Sequence, residues 1–282
     1  MGIISSFQKT NNERKNKMKK IALTSLLAVA AVSAAHASIN VIDGNPLYMP
    51  KAGHFYSETA LSSHTENVDA VTLGENFGYG ILDSLAVSVN TSLSEANWFE
   101  ANAWDELGAD LTWRVIDGKA WKLDVMGGFE MGQMWGDHLP FLDKDATFYA
   151  WSAGVRGGYV TNDWTLSAHA NFIYTNSEAF NWGKDNPFWA NHALNFGVAG
   201  HWTMSDTWSA LVAADYYKVM DHYNDEENKG YWDLTLGLNM NIDTTKYVGV
   251  YLTKTMTREA EGELDVDDYD GYGFGAKFGI DF

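Results

Sequence analysis

The 282-residue sequence contains no cysteine, so no disulfide braces any part of it. That fits a cell-envelope protein that folds without disulfides, although many cytosolic proteins share the trait. Beyond the N-terminal region there is no run of about 20 apolar residues, the length a helix needs to cross a bilayer. Spanning helices are thereby excluded, even though 46% of the residues are apolar. Basic residues are scarce as well: 19 Lys and Arg stand against 37 Asp and Glu. A chain this acidic repels a phosphate backbone, which sets nucleic acid aside as a partner. Its acid-rich segments lack EF-hand spacing, and neither a metal nor a cofactor is expected.

What is present begins with a targeting segment. Lys19 and Lys20 form a positive stretch, Ile21 to Val32 an apolar one, and Ala35-His36-Ala37 a small-x-small cleavage site. Cleavage is expected between Ala37 and Ser38. Met18 directly precedes the lysines, so the start is expected there, with Met1 to Lys17 as an upstream extension. Removing residues 1–37 leaves 13 basic and 36 acidic residues, a net charge of −23. The expected organisation is residues 1–37 as extension and signal peptide, 38–53 as a periplasmic N-terminal segment, and 54–282 as one β domain.

Period-2 alternation decides the class of that domain. Leu85, Val87, Val89 and Leu93 share one face, and Ala86, Ser88, Asn90 and Ser92 share the other. Trp232, Leu234, Leu236, Leu238, Met240 and Ile242 likewise oppose Asp233, Thr235, Gly237, Asn239 and Asn241. Only a strand separates such sets cleanly. The pattern recurs in Leu107–Val115, Trp121–Met131, Trp164–Tyr174 and Leu194–Trp202. Segments of about ten residues match the length of a tilted membrane-crossing strand, which is about 9–11 residues.

Short polar turns such as Asp117-Gly118 and Ser205-Asp206-Thr207 alternate with longer loops, among them Glu95–Asp105, Gln133–Ala146, Ser177–Ala190, Asn224–Lys229 and Glu259–Asp270. Short turns on one side and long loops on the other define a transmembrane up-and-down barrel. The expected fold is therefore all-β: an antiparallel barrel of about twelve strands, with ten to fourteen allowed. Its first strand is placed near His54–Leu61, its second near Val71–Tyr79 and its last at Gly271–Phe282. Trp121, Trp164, Trp208 and Tyr247 open strands about forty residues apart. A propeller would need four short strands in that period, whereas two long ones fill it. These rings are expected to form an interfacial girdle with Tyr79, Trp113, Tyr159 and Trp202. Glu75 breaks the pattern, falling on the apolar face with Leu73 and Phe77. Either a bulge reverses the face there or Glu75 meets a partner.

The last strand carries a resemblance. Tyr272, Phe274, Ala276, Phe278, Ile280 and Phe282 share a face, and the sequence ends on Phe282. This resembles the C-terminal insertion signal of bacterial outer-membrane β-barrel proteins, with Phe278, Ile280 and Phe282 as its core. The resemblance implies export, handling by periplasmic chaperones and the barrel-assembly machinery, and residence among outer-membrane lipid and lipopolysaccharide. An even strand number puts both termini on the periplasmic side.

Residues expected to line the lumen are Asp110, Arg114, Lys122, Asp124, Glu130, Arg156, His169, His201, Asp215, Asp233, Lys277 and Asp281. Small residues such as Gly108, Gly154 and Gly197 are expected to leave space between them. Twelve strands lie between a filled eight-stranded barrel and a broad sixteen-stranded channel. The leading expectation is a narrow porin-like channel for small solutes. The alternatives are a closed barrel acting through its loops, where Ala101–Trp104 and Phe180–Trp189 carry aromatics, and an outer-membrane hydrolase. For the last, Ser167 and His169 share a face, but both point to the lumen, and adjacent Asp221 and His222 point to opposite faces. No catalytic residues are assigned.

Overall fold

The computed structural model describes residues 45–64, 67–96, 101–133, 147–177, 192–220, 230–257 and 271–282. The cleavage site at Ala37 and Ser38, the Asp221-His222 pair and the loop segments Phe180–Trp189 and Glu259–Asp270 lie outside the described residues. Within them the chain forms twelve strands: β1 (Phe55–His64), β2 (Asn67–Leu82), β3 (Leu85–Ala96), β4 (Ala101–Asp117), β5 (Trp121–Gln133), β6 (Thr147–Val160), β7 (Trp164–Ser177), β8 (His192–Thr203), β9 (Trp208–Val219), β10 (Gly230–Asn241), β11 (Lys246–Thr257) and β12 (Gly271–Asp281). Each pairs antiparallel with the next, and β1 closes on β12 to complete the barrel. At the seam the Phe55 and Phe282 backbones exchange hydrogen bonds of 2.7 and 2.8 Å, and their rings stack 6.0 Å apart. Closure leaves no open sheet edge, which is the only way a sheet satisfies its backbone in lipid.

The alternation sorts the side chains into two environments. Val89, Leu111, Val125, Val155, Leu166, Val198, Val212, Leu236, Val250 and Phe274 all lie exposed on the outer face. An apolar surface this continuous is what lipid contact requires. Near the short turns it is edged by exposed Trp113, Trp121, Tyr159, Trp164, Trp202 and Trp208. Trp164 and Trp202 stack 5.3 Å apart, and Trp121 meets Tyr159 edge-on at 5.1 Å. Tyr149, Trp151, Tyr174, Trp232 and Tyr272 edge the loop side.

Three expectations need comment. Tyr247 does not join the girdle. It is 1% exposed, points into the barrel and donates its hydroxyl proton to Glu58. A polar partner inside outweighed the interface, and β11 takes the register that puts Lys246 and Val248 outside. The segment Glu95–Asp105 is not a long loop, because β3 runs on to Ala96 and β4 begins at Ala101. Glu75 keeps its place on the outer face with no bulge beside it: Thr59, Glu75 and Thr91 are successive partners across β1, β2 and β3. It meets partners instead. Ser57 and Thr59 donate hydroxyl protons to its two carboxylate oxygens at 2.6 and 2.5 Å. Two charge-assisted hydrogen bonds offset part of what a carboxylate loses on leaving water.

Candidate functional site

Paired residues on adjacent strands stand side by side, so inner-face residues form rows around the wall. One row runs through Arg114, Asp124, Arg156, His169, Gly197, Asp215, Asp233 and Thr255, from β4 to β11. Strand tilt makes it climb from the turn end of β4 to the loop end of β11.

At the turn end the row is a charge triad. Asp124 Oδ1 accepts from Arg114 Nε at 2.8 Å, and Asp124 Oδ2 accepts from Arg156 Nε at 2.8 Å and from Arg114 Nη2 at 3.1 Å. The carboxylate is fully buried between the two guanidiniums. Lys122 lies at the rim, paired with Asp117, and His201 is buried near the turn end of β8. Further along, His169 Nε2 lies 2.8 Å from Asn195 Oδ1 and 3.2 Å from Asp215 Oδ1. No hydrogen bond joins His169 to Ser167 among the described residues. Asp215 and Asp233 stand directly opposite each other, and Thr255 donates to Asp233 Oδ1 at 2.7 Å.

The remaining expected residues sit around this row. Asp110 accepts from Asn90 Nδ2 at 2.9 Å. Glu130 is the partner of Gly108 across β4 and β5. Lys277 is buried, with Nζ 5.4 Å from the Tyr247 ring centre. Asp281 receives the Tyr48 hydroxyl at 2.6 Å. Sequence reasoning missed Glu58 and Glu106, 8% and 1% exposed, and the Tyr217–Tyr231 pair stacked 4.6 Å apart on the inner wall. Each occupies an inner position of the alternation. Glu58 was hidden by the weak pattern of the first strand, and Glu106 by its assignment next to a loop.

Gly108, Gly154 and Gly197, expected to leave space, do not. A Cβ on Gly197 would fall 2.2 Å from Asp215 Oδ1 and 2.1 Å from His169 Cε1, and one on Gly108 would fall 2.3 Å from Asn90 Oδ1. Each of these three is a slot into which a neighbouring strand's polar side chain lies flat, Asn171 Oδ1 falling 1.9 Å from a Cβ on Gly154. Gly197 is what allows His169 and Asp215 to meet across β8.

Toward the loops the charged groups described on the wall are acidic, whereas toward the turns bases mix with Asp124, Glu58 and Asp281. Arg114, Lys122 and Arg156 lie toward the turns. Glu106, Glu130, Asp215 and Asp233 lie closer to the loop ends of their strands, and Asp110 sits near the middle of β4. Asp110, Glu130, Asp215 and Asp233 have no lysine or arginine ion pair among the described residues.

No protein-family description and no curated protein sequence matches the chain. Solved structures do. The KdgM porin in complex with disordered oligogalacturonate superposes with a TM-score of 0.56 at 7% identity, covering 80% of this chain and 99% of that one. The NanC porin gives 0.56 at 7% identity, covering 79% and 98%. An outer-membrane channel from Pseudomonas putida gives 0.50 at 9% identity, covering 83% and 97%. The chain thus has the fold of outer-membrane β-barrel porins, and at these identities the likeness extends to the fold alone.

Proposed function

We propose that the chain is a narrow outer-membrane channel for small solutes, with its termini and short turns on the periplasmic side. The observation that carries this reading is the inner wall: polar and charged groups line it from the turn end to the loop end, inside a barrel whose outer surface is apolar. A barrel serving only as an anchor needs no such wall, since eight strands filled with side chains would suffice.

The acidic character of the loop-side wall sets the expected preference. A solute entering from the loop side first meets Glu106, Glu130, Asp215 and Asp233. These groups repel carboxylated solutes such as the oligogalacturonate bound by the KdgM porin, and favour small cationic or uncharged ones. Single-channel recording in planar bilayers tests the reading. Discrete openings that pass potassium in preference to chloride are expected. A folded barrel that never conducts would overturn it.

A second reading has its own support. Asp124, Glu106, Asn195, Asn239 and Tyr247 are all at most 2% exposed, so the described interior is tightly filled. A closed barrel acting through its loops accounts for that filling. It predicts silence in the same recording.

A further inference from the structure

Residues 38–53, expected as a periplasmic N-terminal segment, precede the barrel strands. Part of that segment is inside. Residues 45–50 enter the turn-side mouth, with Pro46, Leu47, Met49 and Pro50 buried. Asn45 Nδ2 donates to Thr165 Oγ1 on β7 at 3.0 Å. The carbonyl of Leu47 accepts from Arg114 Nη2 at 2.6 Å, and that of Tyr48 from Arg156 Nη2 at 3.0 Å. On the far side the Tyr48 hydroxyl donates to Asp281 Oδ2 on β12 at 2.6 Å. In barrel order β6 and β12 are six strands apart either way round. The segment therefore spans the mouth from wall to wall.

Its attachment differs in kind from the rest of the fold. Every strand is held by a backbone ladder to two neighbours. The segment holds to the wall by hydrogen bonds from or to side chains and by packing, and the isolated bridge from Ala52 to Gly80 comes only after it. Two prolines suit it to that position, because each removes a backbone N–H that the lumen would have to satisfy. Gly53, at a φ of 81°, adopts the left-handed conformation that turns the chain from the mouth into β1. Burial and the Asp281 contact hold the Tyr48 phenol above its ordinary pKa, so it remains a donor.

We propose that residues 45–50 are an internal plug that closes the turn-side mouth and can leave it without unpairing any strand, so that the segment gates the lumen. As a gate it rests on the channel reading above; as a plug it does not. The triad of Arg114, Asp124 and Arg156 is its seat, since both guanidiniums hold Asp124 with Nε and offer Nη2 to the segment's carbonyls.

The absence of native cysteine makes the test direct. Thr165→Cys places a thiol under the plug, at a site 2% exposed in the intact barrel. A plug seated about 90% of the time slows maleimide labelling about tenfold relative to the same variant lacking residues 45–50. Folding of both is checked by heat-modifiable gel migration. Equal labelling rates in two folded barrels would overturn the plug, whatever the conductance. In bilayers, the deletion is expected to open about tenfold more often than the full chain. Faster labelling with no conductance in either protein would support the plug and overturn the channel reading. A third variant, N45C with T165C, tethers the segment in the full-length barrel. Oxidation is expected to abolish openings and a reductant to restore them; openings that persist in the oxidised, mass-verified tether would overturn the gate.

Discussion

Changing Leu236 to arginine tests the assignment of faces and the position of the bilayer together. Leu236 is 56% exposed on the outer wall. It lies four residues from Trp232 on the loop side and four from Met240 on the turn side, where Met240 pairs with Trp208. At about 3.4 Å per residue and a tilt of about 40°, each interval rises about 10 Å. Leu236 is thus equidistant from the two aromatic levels, at the middle of an apolar band about 25 Å tall. An arginine at that depth costs about 2–4 kcal/mol, whereas near an interface the cost is about 0–1 kcal/mol. Ile242, which follows the end of β10 and is 54% exposed beyond the turn-side aromatics, is the matched control for the same substitution. The assay is refolding into lipid vesicles followed by guanidinium titration, comparing unfolding free energies with the parent. A loss at Leu236→Arg exceeding that at Ile242→Arg by about 2 kcal/mol is expected. Equal losses, or no loss at Leu236→Arg, would refute both the facing and the depth.

Asp124→Ala leaves two buried guanidiniums without their carboxylate and should cost about 3–5 kcal/mol in the same titration; a cost below about 1 kcal/mol would mean water already solvates the triad. Deleting Phe282 removes the ring stacked on Phe55 and the end of the seam, so outer-membrane yield is expected to fall while synthesis, followed by immunoblot, stays level. The intact mass of protein recovered from membranes is expected to correspond to a chain beginning at Ser38; a mass retaining residues 19–37 would contradict cleavage after Ala37.

Much of the fold was legible because its signal is local. In β10 the alternation from Trp232 to Ile242 specifies a strand and its two faces within a dozen residues, and Leu236 and Leu238 lie outside as that pattern requires. Turn residues such as Asp117-Gly118 mark where hairpins reverse. Phe278, Ile280 and Phe282 mark the strand that closes the barrel. Glu75 was legible as an anomaly but not as a solution, because Ser57 and Thr59 reach it only when β1 pairs with β2 in one register. Tyr247 was misread for a related reason: an aromatic after a turn suits either the interface or the interior, and only Glu58, 189 residues away in the chain, decides between them.

By itself, then, the sequence determined that this is a chain of long strands with one apolar face, able to span a membrane only as a closed sheet. Those properties follow from composition and a two-residue period, which need no knowledge of distant partners. Tertiary structure alone decided which charges meet. Asp124 lies between Arg114 and Arg156 because of the β4–β5–β6 register, and Gly197 admits His169 to Asp215 because β7 and β9 flank it. Residues 45–50 have no periodicity to read, and their position exists only once twelve strands have closed around it.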